Sequence, residues 1–150
     1  MGLVNRRRHL FMRATAILYF QKYPGTDRRS GIEGLDFVLR VEGLQVQAGT
    51  TDGEGRATLH FDPTKSANLE IMGMTFDITV RDNIEAHNTD AGVKRRLNML
   101  GYNAGTVDAN HDTVTCDRAI LNFQADTRNL LMDGIAGPRT QTKIRTAVGE

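Results

Sequence analysis

The chain has 150 residues, with 19 lysines and arginines against 18 aspartates and glutamates, and a single cysteine. So even a balance excludes a general electrostatic pull toward nucleic acid or an anionic membrane surface, and one thiol excludes an internal disulfide. No apolar run is long enough to insert through a bilayer, and the length suits one domain or two small ones.

At the start, NRRRHLFMRATAILYF sets a basic run before apolar residues, as a signal peptide does. Arg13 interrupts the apolar stretch, and no small-residue cleavage site follows. Leu10, Met12, Ala14, Ala16, Leu18 and Phe20 alternate, which predicts a first β-strand, and Arg6, Arg7 and Arg8 read as a solvated end. Pro24-Gly25 through Gly34 reads as a loop. Period-two alternation then recurs at Phe37, Leu39 and Val41, at Ala57, Leu59 and Phe61, and at Phe76, Ile78 and Val80, with a further strand at Leu69 and Ile71. Thr51-Asp52-Gly53-Glu54-Gly55, between the alternating LQVQAG and RATLHF, predicts a hairpin loop with glycines at positive φ. Five or six short strands without helical period argue for a small antiparallel β-sandwich or barrel over residues 1–86.

Beyond the polar AHNTD, residues 86 to 90, the period changes to 3.6 and a helical domain is expected over 87–150. Val93, Leu97 and Leu100 share one stripe, with Thr89 or Asp90 as cap and Gly101 as stop. Cys116, Ile120 and Phe123 mark a second helix with Asp112 or Thr113 as cap, and this spacing makes Cys116 an inert core thiol. In MDGIAGPRT, residues 132 to 140, Asp133-Gly134 signals a turn and Gly137-Pro138 the start of a third helix that buries Ile144 and Val148. GTVDANHDTVTCDRAI and LLMDGIAGPRTQTKI repeat one plan, a turn after Asp followed by a Thr-rich helix start ending in Ile, so two turn-plus-helix units can share a core.

Catalysis lacks a convergent set of groups. His9, His60, His87 and His111 are scattered, and the one metal-like grouping, Asp108, His111, Asp112 and Cys116, has no established ligand spacing. The two serines, Ser30 and Ser66, lie in loops without a nucleophile elbow. Asp52 and Glu54 sit at a loop tip where solvent keeps carboxylates ordinary, and the phosphate-cradling pattern is absent. The expectation is a non-enzyme with no cofactor and no metal.

VKRRLNMLGYNAGTVD, AILNFQ and MDGIAGPRTQTKI, in that order across about residues 89 to 148, resemble the three-helix peptidoglycan-binding domain family, with its Leu-Gly-Tyr turn, Phe-Gln helix end and Asp-Gly-x-x-Gly-Pro-x-Thr signature. The first repeat departs: Asp108-Ala109-Asn110-His111-Asp112-Thr113 stands where the family has Asp-Gly-x-x-Gly-Pro. The resemblance implies a non-catalytic cell-wall binder with peptidoglycan as partner. Its candidate contacts, on or beside the turns, are Tyr102, Asn103, Asp108, Asn110, Asp133 and Arg139, the last for a stem-peptide carboxylate. A structural use competes at each: Tyr102 can pack back on the helix it follows, and Asp108 and Asp133 can hold turn amides. The β half resembles transthyretin-like or carboxypeptidase-regulatory-like sandwiches. Joined to such a helical domain, it looks like type VI secretion and contractile-spike proteins, which implies a protein partner docked through the β half. The same likeness implies a route from the bacterial cytoplasm to the periplasm or envelope without a signal peptide. The alternative is a structural adaptor that keeps the helical fold as scaffold without binding glycan, a reading favoured by the altered first turn.

Overall fold

The period-two segments build six strands: β1 (Ala14–Tyr19), β2 (Asp36–Val41), β3 (Leu44–Thr50), β4 (Arg56–Phe61), β5 (Ala67–Ile71) and β6 (Met74–Ile78). The structure, a computed structural model, describes residues 13–25, 30–81, 83–110 and 113–150. Leu10 and Met12, the three N-terminal arginines, His9, His111 and Asp112 lie outside the described residues. All pairings are antiparallel, in a two-stranded sheet β1-β4 and a four-stranded sheet β3-β2-β5-β6. The two sheets share one core of Phe37, Leu39, Val41, Ala57, Leu59, Phe61, Leu69 and Ile71, the residues that alternation selects. Burial of such side chains, about 1.5–3 kcal/mol each, drives the sheets together.

Two details differ from the sequence reading. The TTDGEG loop is not a hairpin: β3 pairs with β2 and β4 with β1, so the loop carries the chain from one sheet to the other. Asp52 shapes it, accepting the amides of Glu54 and Arg56 and a side-chain bond from Arg56 at 2.6 Å. The true hairpins turn at Glu42-Gly43 and Met72-Gly73, each with two consecutive positive φ angles. Without the Asn-Gly or Asp-Gly that marks such turns, neither stands out in sequence. The second difference is β6: Met74 and Phe76 face the same way as their partners Ile71 and Leu69, yet remain 51% and 42% exposed. The two-stranded sheet is too narrow to cover them.

Three helices follow: α1 (Asp90–Met99), α2 (Thr113–Asp126) and α3 (Pro138–Val148). The fold is α+β, antiparallel sheets and then three helices. Thr89 caps α1 through its hydroxyl, which accepts the Gly92 amide, and Gly101 ends the helix at φ 88°. Pro138 opens α3 behind Gly137. Val93, Leu97, Cys116, Ile120, Phe123 and Ile144 form the second core with Leu100 half-buried against it, whereas Val148, expected to be buried with Ile144, is half-exposed. No helix among the described residues is long and apolar enough to cross a membrane.

The chain divides into two compact units, one drawn from Met1–Phe20 and Gly31–Val80 and the other from Gln21–Ser30 and Arg81–Glu150. The helical unit starts before the AHNTD stretch because Glu85 and Ala86 are tied to α1. Arg95 grips the Glu85 carboxylate with two bonds, Arg96 reaches the Glu85 carbonyl, and Thr89 donates to the Ala86 carbonyl. It also claims an excursion of the chain between β1 and β2, where the Gly25 amide donates to the Leu100 carbonyl at 2.8 Å.

Candidate functional site

The two turns that join the helices are held by one device used twice. In the second turn, the buried Gln124 of α2 accepts the amides of Asp133 and Gly134 and donates to Asp133 Oδ1 at 2.8 Å and to the Ile135 carbonyl at 3.1 Å. Asp133 Oδ1 in turn accepts the Ile135 amide. In the first turn, Lys94 of α1 takes the place of the glutamine: it donates to Asp108 Oδ1 at 3.0 Å and to the Asn110 carbonyl, and Asp108 Oδ1 accepts the Asn110 amide. Each clamp thus joins a helix side chain to the turn aspartate and to the carbonyl two residues on. The difference is chemical, since an ammonium has no acceptor and cannot take the amides that Gln124 takes. Asp108 N bonds Thr106 O instead.

Both aspartates are held well below the usual carboxylate range, Asp108 first by the hydrogen bond from Lys94 and Asp133 first by the Ile135 amide and then by Gln124. Both are therefore ionised parts of the turns.

Tyr102 requires a correction. It is 3% exposed, its ring meets Phe123 edge-on with centroids 5.7 Å apart, and its hydroxyl donates to Asp126 at 2.8 Å. Burial first, then that hydrogen bond, pushes the phenol up. A side chain so enclosed is no platform for a sugar; it fastens α1 to α2. Asn103 is exposed and accepts the Gly105 amide, beside Asn98, which holds the loop by bonds to Ala104 and Gly105. Asn110 is exposed on the first turn.

Around the second turn the surface is different. Leu131, Met132 and Ile135 stand in solvent, Leu131 at 76% and Ile135 at 65% exposure. They fall outside any helical stripe, and sequence periodicity gave no reason to single them out. On one side of Ile135 lies a groove of about 370 Å³, floored by Val93, Cys116 and Ile120 and walled by Asp90, Asp117 and Asp133. On the other side is a depression of about 290 Å³ lined by Leu131, Pro138 and Arg139 among others, with Asp133 and Ile135 common to both. Arg139 continues onto a flatter patch with Lys143. Of the six candidates, the structure brings Asp133 and Arg139 into one depression and Asp108 and Asn110 into one turn; the first-turn residues line none of these hollows.

Among the described residues no three His, Cys, Asp or Glu side chains gather as metal ligands. Of the metal-like grouping, Asp108 is paired with Lys94 and Cys116 lies in the core.

Residues 91–144 match the model of a family described as putative peptidoglycan binding domain. The match runs from α1 to the buried Ile144 of α3 and takes in both clamped turns. That family is one of binding rather than catalytic domains. No curated protein and no solved structure matches the chain. The transthyretin-like and contractile-spike likenesses therefore stand only on the residues quoted for them.

Proposed function

We propose that the helical unit is a non-catalytic peptidoglycan binder whose contact surface is the second turn, with Ile135 as a ridge between two hollows. The observation that carries this reading is the exposure of Leu131 and Ile135 beside two hollows that combine apolar side chains with Asp133 and, in the smaller, Arg139. Sugar rings and short peptides bind shallow apolar floors edged by a few oriented polar groups. The family match to residues 91–144 supports the same ligand class. Such a ligand makes the bacterial envelope the working place of the protein.

The adaptor alternative draws on the altered first turn. Lys94 holds that turn as Gln124 holds the second, which weakens its ground. A protein partner at the β unit is the second part of the reading, favoured by the uncovered Met74 and Phe76 on the edge strand β6, where an extended segment can add to the sheet.

Co-sedimentation of the full chain with purified sacculi tests the wall reading. Saturable binding is expected, lowered about tenfold or more by Ile135→Asp, since a central apolar anchor dominates such contacts. Absence of binding, or equal binding by a properly folded Ile135→Asp variant, would overturn it.

A further inference from the structure

Among the described residues the larger sheet, β3-β2-β5-β6, has two outer strands, and only one of them is protected. On β3, the side chain of Gln47 bonds to β4, donating to the Thr58 carbonyl at 2.8 Å and accepting the His60 amide at 3.1 Å. A side-chain amide thus stands where a neighbouring strand's backbone would be. The register of β3 with β2 also breaks between Leu39 and Arg40. Occupied edge groups and irregular register keep an outer strand from pairing with another chain. β6 has neither device. Its MTFDI holds no proline, lysine or arginine, its register with β5 is unbroken from Met74 to Ile78, and it is paired on the β5 side alone. Every second amide and carbonyl along it therefore points away from the sheet. Met74, Phe76 and Ile78 take the core face, where the first two stay exposed, and Thr75 and Asp77 take the other. β1, in the smaller sheet, already half-buries its inward Ala14, Ala16 and Leu18.

A strand added to β6 must present apolar side chains at every second position on the core face and no acid opposite Asp77, since like charges directly opposite repel. The sequence of β6 meets both conditions when it is laid antiparallel against itself. With Phe76 opposite Phe76 of a second copy, Met74 meets Ile78 and Asp77 meets Thr75. A slip of one residue sets apolar against polar faces. A register that opposes the two Asp77 carboxylates is repulsive, and one that opposes the two Thr75 residues leaves Ile78 facing the turn residue Met72 instead of a strand. One register therefore satisfies charge and burial together. Its two-fold symmetry is that of the commonest oligomers, in which one patch meets its own copy. Resting on the reading of β6 as a docking edge, we infer that its partner is a second copy of this chain, the two β6 strands pairing antiparallel about Phe76 to make one continuous sheet. The exposed Met74 and Phe76 of each copy are then covered by Ile78 and Phe76 of the other. Two short strands bury little surface, so the dissociation constant is expected to be of the order of micromolar.

Sedimentation equilibrium of the full chain tests this. With rising concentration the mass should climb from 16.6 kDa toward twice that value. Phe76→Lys, which sets two ammonium groups at the centre of the pairing, should remove the dimer. Thr75 is exposed, so Thr75→Asp spares the fold while placing a carboxylate opposite Asp77 twice in each dimer. It should weaken association about fivefold, and adding Asp77→Lys should recover the loss. A chain that stays at 16.6 kDa, a dimer that survives Phe76→Lys, or a Thr75→Asp loss that Asp77→Lys does not recover would overturn the inference. Hydrogen exchange separates that failure from failure of the docking edge. In a monomeric chain, fast exchange at alternate β6 amides leaves the edge open to a different extended segment, whereas slow exchange at every β6 amide shows it covered and fails that reading as well.

Discussion

Gln124 and Lys94 show how single residues set the helical unit. Gln124 serves both polarities of the second turn at once, accepting two amides and donating to a carboxylate and a carbonyl. Replacing it with leucine keeps the volume but leaves those amides without their acceptor. Gln124→Leu should cost about 2–4 kcal/mol, read from urea unfolding. Lys94→Gln preserves a donor for Asp108 and Asn110 and should stay within about 1 kcal/mol, because the Asp108 carboxylate is part-exposed and water can solvate the charge that the ammonium leaves behind. A large loss on Lys94→Gln with none on Gln124→Leu would refute the idea of one clamp used twice. Tyr102→Phe removes one hydrogen bond, to Asp126, and should cost about 1 kcal/mol while leaving sacculus binding intact. Binding lost in a folded Tyr102→Phe variant would restore Tyr102 as a ligand contact.

At the scale of elements, the start of α1 is fixed from outside by the segment before it. A Cβ on Gly92 would stand 1.9 Å from the Ala86 carbonyl oxygen, so the segment crosses the first turn of the helix as closely as glycine allows. Arg95 draws the Glu85 carboxyl from 4.5 down to about 2. A carboxyl lowered in the folded state contributes stability that is fully present above about pH 4.5 and is lost as pH falls through about 2. The urea midpoint should decline over that window, and Glu85→Gln should flatten the decline; an unchanged slope would show that the strap is not coupled to folding. Helix stripes, the Thr89 cap and the strand alternation were legible because they are local periodicities. The link between α1 and residues 85–86 was not, since it depends on which guanidinium meets which carbonyl at a separation of 11 positions in the chain. Likewise TTDGEG reads as a hairpin by composition, whereas the sheet to which each flanking strand belongs is decided by distant partners.

For the whole molecule, two cores serve two units, and Gln21–Ser30 belongs with the helices although strands flank it in the chain. Nothing in the composition of that segment distinguishes it from an ordinary loop. The candidate site was legible in part: Asp133 and Arg139 emerge from the MDGIAGPRT signature. Leu131 and Ile135 were not, because an exposed apolar residue in a loop has no period to betray it. Tyr102 follows a helix-ending glycine, where sequence allows an exposed ring or a buried one; packing on Phe123 and the bond to Asp126 decide for burial.

The central claim is that the second turn, and not the first, faces the wall. Amide chemical shifts of the full chain during titration with soluble peptidoglycan fragments test it most directly. Shifts should concentrate at residues 131–139 and on the facing parts of α1 and α2 near Asp90 and Asp117. Shifts confined to residues 103–110, or to the β unit, would contradict the account.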